Sequence, residues 1–169
     1  MTELSSDDKT KQYIYNMLEE QSFGVVSTLR QHQPFQHIIA HAFSSDIRYI
    51  YFANESSNAL GINIEQQPLI NAIWDNRTGH VEDESLNAYV TASGFASKLG
   101  EMKAKMAKSL LLARNPNLEE FLSKPLTKMY SIQVHTYHYH HSEQETAFFY
   151  PNKATNSTNL KNSTFDVSI

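Results

Sequence analysis

The chain has 169 residues, 40% of them hydrophobic, with 14 basic and 18 acidic side chains and a formal net charge of -4. That length suits one domain with a substantial core, and the mild acidity excludes the basic footprint of a nucleic-acid or anionic-membrane binder. There is no cysteine, which excludes disulfides, thiolate metal centres and cysteine nucleophiles. The stretch Met1 to Asp8 has neither a basic region nor an apolar run. No secretory leader is therefore read, and a cytoplasmic location is expected. No apolar run approaches the roughly 20 residues that cross a bilayer. Asn-x-Ser/Thr triplets start at Asn54, Asn76, Asn156 and Asn162; with secretion unsupported, they are read as chance in an Asn/Ser/Thr-rich chain.

In chain order, Ser5 and Asp8 offer a capping pair ahead of a first helix, with Ile14, Met17, Leu18 and Tyr13 as its apolar stripe. Phe23 to Leu29 is rich in β-branched residues and reads as a strand. A polar hairpin loop, Arg30 to Pro34, leads to a second strand, Phe35 to Phe43. On it Phe35, His37, Ile39, His41 and Phe43 share one face, and Gln36, Ile38, Ala40 and Ala42 the other. Arg48 to Ala53 is a third strand. Asn54 to Asn58 is a loop with capping chemistry, followed by a short helix that buries Leu60, Ile62 and Ile64 and stops at Gln67-Pro68. Leu69 to Trp74 is a fourth strand, Asp75 to Ser85 a polar loop, and Ala88 to Ser97 a fifth strand with a bulge or close approach at Gly94. Met102, Met106, Leu110 and Ala113 recur at helical spacing, with lysines off that stripe, as in a surface helix. A shorter helical piece surrounds Leu118 to Leu122. Thr127 to Tyr139 is a long strand, and Thr146 to Tyr150 its hairpin partner. The expected domain is residues 1–150, with 151–169 a polar tail too poor in apolar residues to offset its ordering entropy. No internal repeat is present.

Three ordered segments carry a resemblance. Val25-Val26-Ser27-Thr28-Leu29 runs into a loop and Pro34. Tyr49-Ile50-Tyr51-Phe52-Ala53-Asn54 enters a Ser-rich loop and a helix ending Gln66-Gln67-Pro68. Tyr89 to Ala96 is a strand whose Gly94 precedes Phe95-Ala96. Over about residues 10 to 150 this order resembles the pyridoxamine 5′-phosphate oxidase-like proteins. The resemblance implies a mostly β fold with flanking helices (α+β), a six-stranded antiparallel split β-barrel of the FMN-binding type. It also implies a homodimer with FMN in the groove between subunits, and a flavin-dependent oxidoreductase of unknown substrate whose cofactor performs the redox step. The cofactor contacts it implies fall on His37, Ile38, Asn54, Ser56, Ser57, Asn58 and Tyr89; no catalytic residue is read.

The sequence departs from that pattern where it matters for phosphate. A nearly dianionic phosphate favours Arg or Lys. His37 stands at a position that is commonly Arg, and Ala42 and Leu60 stand at positions that are often Lys. What remains is the polar set Asn54 to Asn58 and the main-chain N–H groups of a helix start, which can hold an anion. A second cluster, His135, His138, His140 and His141, places His138 and His140 on one side of a strand, ~6.6 Å apart. Neither an acid nor a cysteine stands at a ligand spacing beside them, so no metal centre is expected and a polar strand end accounts for them. The alternative function is a non-enzymatic dimer on the same fold that binds haem or another small ligand without flavin, the histidines taking part. No phosphate loop, dinucleotide fingerprint or nucleophile turn is present.

Overall fold

In the computed structural model, which describes residues 5–81, 87–142 and 144–153, the chain starts as its sequence predicts. Helix α1 (Ser6–Glu20) is capped by Ser5, whose Oγ accepts from the Asp8 N–H, and it buries Thr10, Ile14, Met17 and Leu18. The cap satisfies a first-turn donor that has no partner within the helix. At the other end the Arg114 guanidinium donates to the carbonyls of Leu18 and Glu19 at 2.7 and 3.0 Å. A helix C-terminus leaves those acceptors unpaired and attracts a cation.

Strands β1 (Phe23–Arg30) and β2 (Gln33–Phe43) form a hairpin. The predicted loop Arg30 to Pro34 contracts to Gln31 and His32, whose φ angles of 49° and 66° are those of a tight turn matched to strand twist. Pro34 therefore lies within β2, opposite Leu29. There follow β3 (Tyr49–Glu55), α2 (Ala59–Gln66), β4 (Leu69–Asp75), β5 (Ala88–Lys98), α3 (Glu101–Arg114), a 3-10 turn, α4 (Glu119–Ser123), β6 (Thr127–His141) and β7 (Gln144–Phe149). Every pairing is antiparallel, in the order β3-β2-β1-β4-β5-β6-β7, and a further β3–β6 pairing closes the first six into a barrel. This is the expected six-stranded barrel, with β7 added at its edge as the hairpin partner of β6.

Strand alternation decides what lies inside. Val26, Ile39, Ile50, Phe52, Ala72, Trp74, Val90, Ile132 and Val134 pack with Ile14, Met17 and Leu18 of α1 as one core. A smaller cluster outside the barrel joins Ala42, Tyr51 and Met129 to Ala107 and Leu111 of α3 and to Leu122. Two glycines permit close approaches. A Cβ at Gly24 would sit 2.5 Å from the Trp74 indole, and one at Gly94 only 2.2 Å from the Gln133 carbonyl oxygen, where the β5–β6 register shifts.

The α3 stripe is a correction. Met102 is 88% exposed, and Met106 and Leu110 are also exposed; Ala107 and Leu111 make the contact instead. Both stripes have helical spacing, and the small side chains of Ala107 and Ala42 let the helix approach the sheet more closely than a methionine face would. In α2, Leu60 and Ile64 are buried as expected, but Asn63 is buried rather than Ile62. After β7, Pro151 is buried and its carbonyl accepts from Arg48 Nε at 3.2 Å. Residues 154–169 of the predicted tail and 82–86 of the predicted polar loop lie outside the described residues. Among the described residues, no helix is long and apolar enough to cross a membrane.

Candidate functional site

The expected contact residues divide among three places. The first is the loop from β3 into α2. Asn54 and Asn58 exchange side-chain hydrogen bonds, each Nδ2 donating to the other's Oδ1 at 2.6 Å. Asn58 also caps α2, accepting from the Gly61 N–H at 3.2 Å, and the Asn54 amide donates to the Glu55 carbonyl at 2.9 Å. Ser56 is turned toward β6, its N–H bonded to the Leu126 carbonyl at 3.1 Å. The buried Asn54 carboxamide is thus committed to holding the loop, while Ser57 and Asn58 are exposed where a ligand could meet them.

The second place is the barrel interior. His37 faces inward, half-buried, with Nε2 3.2 Å from Thr28 Oγ1. Thr28 in turn accepts from Asn63 Nδ2 at 2.8 Å. A threonine hydroxyl carries one proton, and donating it to His37 Nε2 while accepting from Asn63 Nδ2 is consistent with a neutral imidazole. Burial lowers the His37 pKa, in keeping with that state. The Oδ1 of Asn63 is buried without a partner. Nearby in the strand, His41 is fully buried between the Leu18 carbonyl, 3.1 Å from Nε2, and the Trp74 indole N–H, which donates to Nδ1 at 3.2 Å. Burial first, and then the Arg114 charge, lower its pKa to about 4.

The third place is the outer face of the sheet. Ile38 is 77% exposed, and strand register sets it in a row with Val25, Ile73, Thr91, His138 and Phe148. The neighbouring row pairs Asp75, Tyr89 and His140. Tyr89 stacks on His140 with ring centroids 4.3 Å apart, and His138 meets the Phe148 ring edge-on at 4.2 Å. Desolvation, and then the neighbouring His140, lower the His138 pKa. The two imidazoles are 6.3 Å apart, close to the sequence estimate. Phe23 and Phe148 are more than half exposed on this face. Among the described residues, no group of three or more His, Cys, Asp or Glu could hold a metal ion.

Ile38 and Tyr89 therefore share the outer face, while His37 points away from it and Asn54 to Asn58 form a self-bonded loop. Ala42 and Leu60, at the positions where the resemblance implies lysines, are both buried. Sequence reading missed Thr28 and Asn63, which reach His37 from other elements. It also missed Phe23 and Phe148; their strand faces were legible, but the face left bare was not.

No family model and no curated protein matches the sequence. Solved structures match the fold. A haem-binding protein from Mycobacterium smegmatis superposes with a TM-score of 0.74 at 10% identity, over 89% of this chain and 60% of that one. This chain thus spans less than two thirds of that protein's length. A relative of general stress protein 26, of the pyridoxinephosphate oxidase family, from Clostridium acetobutylicum gives a TM-score of 0.65 at 11% identity, covering 85% of this chain and 96% of its own. An FAD-binding protein from Mesorhizobium loti gives 0.61 at 12% identity, covering 79% and 92%. The fold is that of the pyridoxamine 5′-phosphate oxidase-like split barrels, as the order of segments implies.

Proposed function

We propose that this protein is a homodimeric split barrel that binds a planar aromatic ligand on its outer sheet face, between subunits, with haem the ligand class its residues suit best. The observation that carries this reading is the lack of a phosphate clamp. Ala42 and Leu60 are 1% and 3% exposed, and the neutral Asn54 and Asn58 side chains bond to each other across the loop. A nearly dianionic FMN phosphate would find no cation at those positions, and charged hydrogen bonds are worth about 1.5–3 kcal/mol each. On this count FMN is the poorer fit of the two ligand classes.

The outer face, by contrast, suits a flat apolar ring. Ile38, Phe23 and Phe148 expose apolar surface there, of the kind that marks an interaction site. His138 and His140 sit on the same face, and the lowered pKa of His138 favours the neutral imidazole that ligates iron. Neighbours of this fold that bind haem and FAD indicate that the architecture accepts both ring classes. A second reading, a flavin-dependent oxidoreductase, is favoured by the α2 N-terminus, which retains a helix start open to an anion beside exposed Ser57.

Titration of the purified protein with hemin and with FMN tests the choice. Hemin is expected to give a saturable Soret shift that is lost in the double variant His138→Ala/His140→Ala, while FMN fluorescence stays unquenched at micromolar protein. Stoichiometric FMN on the purified protein, or tight quenching, would overturn the proposal in favour of the second reading.

A further inference from the structure

A separate feature lies where β5 ends, α3 begins and β6 starts. A cavity of about 520 Å³ opens there. Leu99, Ala104, Leu122 and Met129 supply its apolar surface, and Lys98, Lys105, Lys108 and Lys128 also line it. Lys108 Nζ donates to the Leu122 carbonyl at 2.8 Å, and Lys128 Nζ to the Pro125 carbonyl at 2.7 Å. Both ammonium groups are thus held in place with protons to spare. Lys98 and Lys105 are exposed. The salt bridges among the described residues involve Arg48, Arg77 and Arg114 and none of these lysines.

Charge in this molecule is unevenly placed. Residues 98–128 carry seven basic and three acidic side chains, a net +4, against -8 for the rest of the chain. Four lysines line this one concavity, and like charges so placed repel each other unless an anion neutralises them. Helix α3 adds to the field. Its N-cap is Gly100, which provides no side-chain cap, so the positive end of a 14-residue helix meets the cavity with first-turn N–H groups uncapped. Glu101 is the one carboxylate in the lining.

We propose that this cavity binds a phosphorylated small molecule, its phosphate on the lysines and the α3 N-terminus, its apolar body on Leu99, Leu122 and Met129. Compact ammonium charges and a helix start are a phosphate-binding combination. The positive field outweighs what a monocarboxylate would neutralise. None of His37, Ile38, Asn54, Ser57 or Tyr89 lines the cavity, so the site is independent of the ring-binding face proposed above.

Isothermal titration of the full chain with phenyl phosphate tests the proposal, with phenol and inorganic phosphate as probes lacking the charge or the body. Phenyl phosphate is expected to bind at least about tenfold tighter than either. The double variant Lys98→Gln/Lys105→Gln removes two exposed lysines without touching the bonds of Lys108 and Lys128, and should weaken binding by about tenfold or more with a melting temperature no lower than the parent's. The variant Lys9→Gln, which removes an exposed lysine of α1 outside the cavity, should bind phenyl phosphate like the parent, which separates a local site from a general charge effect. Absence of phenyl phosphate binding at millimolar concentration, or affinity unchanged in the lysine variant, would overturn the assignment.

Discussion

Acidification should destabilise this protein through His41. The side chain is fully buried, and its folded pKa is about 4 against 6.5 in the unfolded chain, from burial first and the Arg114 charge second. Because the folded value is depressed, the unfolded state binds the proton more readily. The stability from keeping the ring neutral is fully present above pH 6.5 and is lost as pH falls toward 4. The difference of about 2.5 pH units is worth ~3.4 kcal/mol in total, of which ~2 kcal/mol is already gone at pH 5. Urea unfolding at half-unit steps from pH 7.5 to 4.5 measures it. The control is His41→Gln, whose amide oxygen can still accept from the Trp74 indole but which does not titrate. Its curve should keep the shallow slope due to His37 and His138, whose pKa values are also lowered, and lose the steep part. Parallel slopes for parent and variant between pH 6.5 and 5 would refute the reasoning, since the ring would then be protonated or exposed in the folded state.

Three further expectations follow from packing and capping. Ile38→Asp places a charge on a side chain that is 77% exposed in the single chain; under the proposed pairing through this face, light scattering should show a dimer for the parent and a folded monomer for the variant, with the monomer's own stability changed by no more than about 0.5 kcal/mol. Gly94→Ala drives a methyl to 2.2 Å from the Gln133 carbonyl oxygen, so the β5–β6 ladder must shift and thermal melting should fall by well over the effect of an ordinary surface change, about 0.5 kcal/mol. Arg114→Gln deletes the guanidinium that holds the Leu18 and Glu19 carbonyls, and chemical unfolding should show a loss of about 1.5–3 kcal/mol.

The fold was legible because each segment states its own period. The alternation in Phe35 to Phe43 places His37 and His41 on one face, and the structure turns that face inward. Pattern alone could not say which face of the barrel wall would be bare, since Ile38 and Ile39 are equally apolar and only closure through β3–β6 decides between them. The same limit explains α3, where two stripes of helical spacing compete and the packing of Ala107 and Leu111 in one cluster with Ala42, Tyr51 and Met129 chooses the less obvious one. Interactions between distant segments were the least legible. The Asn63–Thr28–His37 chain spans 35 residues between its first two members, and the lysine cavity gathers residues from β5, α3 and β6; neither leaves a local signature.

The buried Leu60 makes the case against a phosphate clamp testable in the direction of gain. If the resemblance alone decided function, Leu60→Lys would restore a basic residue and with it FMN binding. The structure argues otherwise, because Leu60 is 3% exposed and belongs to the barrel core with Ile64 and Ile70. The substitution forfeits about 1.5–3 kcal/mol of apolar burial. It also forces the ammonium either to desolvate, at a cost of several kcal/mol, or to pull the first turn of α2 away from the sheet. Either way the Asn54–Asn58 pair at that turn is strained. The expected result is a melting temperature lowered by several degrees and no gain in FMN fluorescence quenching. A variant of native stability that binds FMN would show that residue 60 can reach the surface, and that the clamp was lost by a single substitution rather than by the way this helix packs.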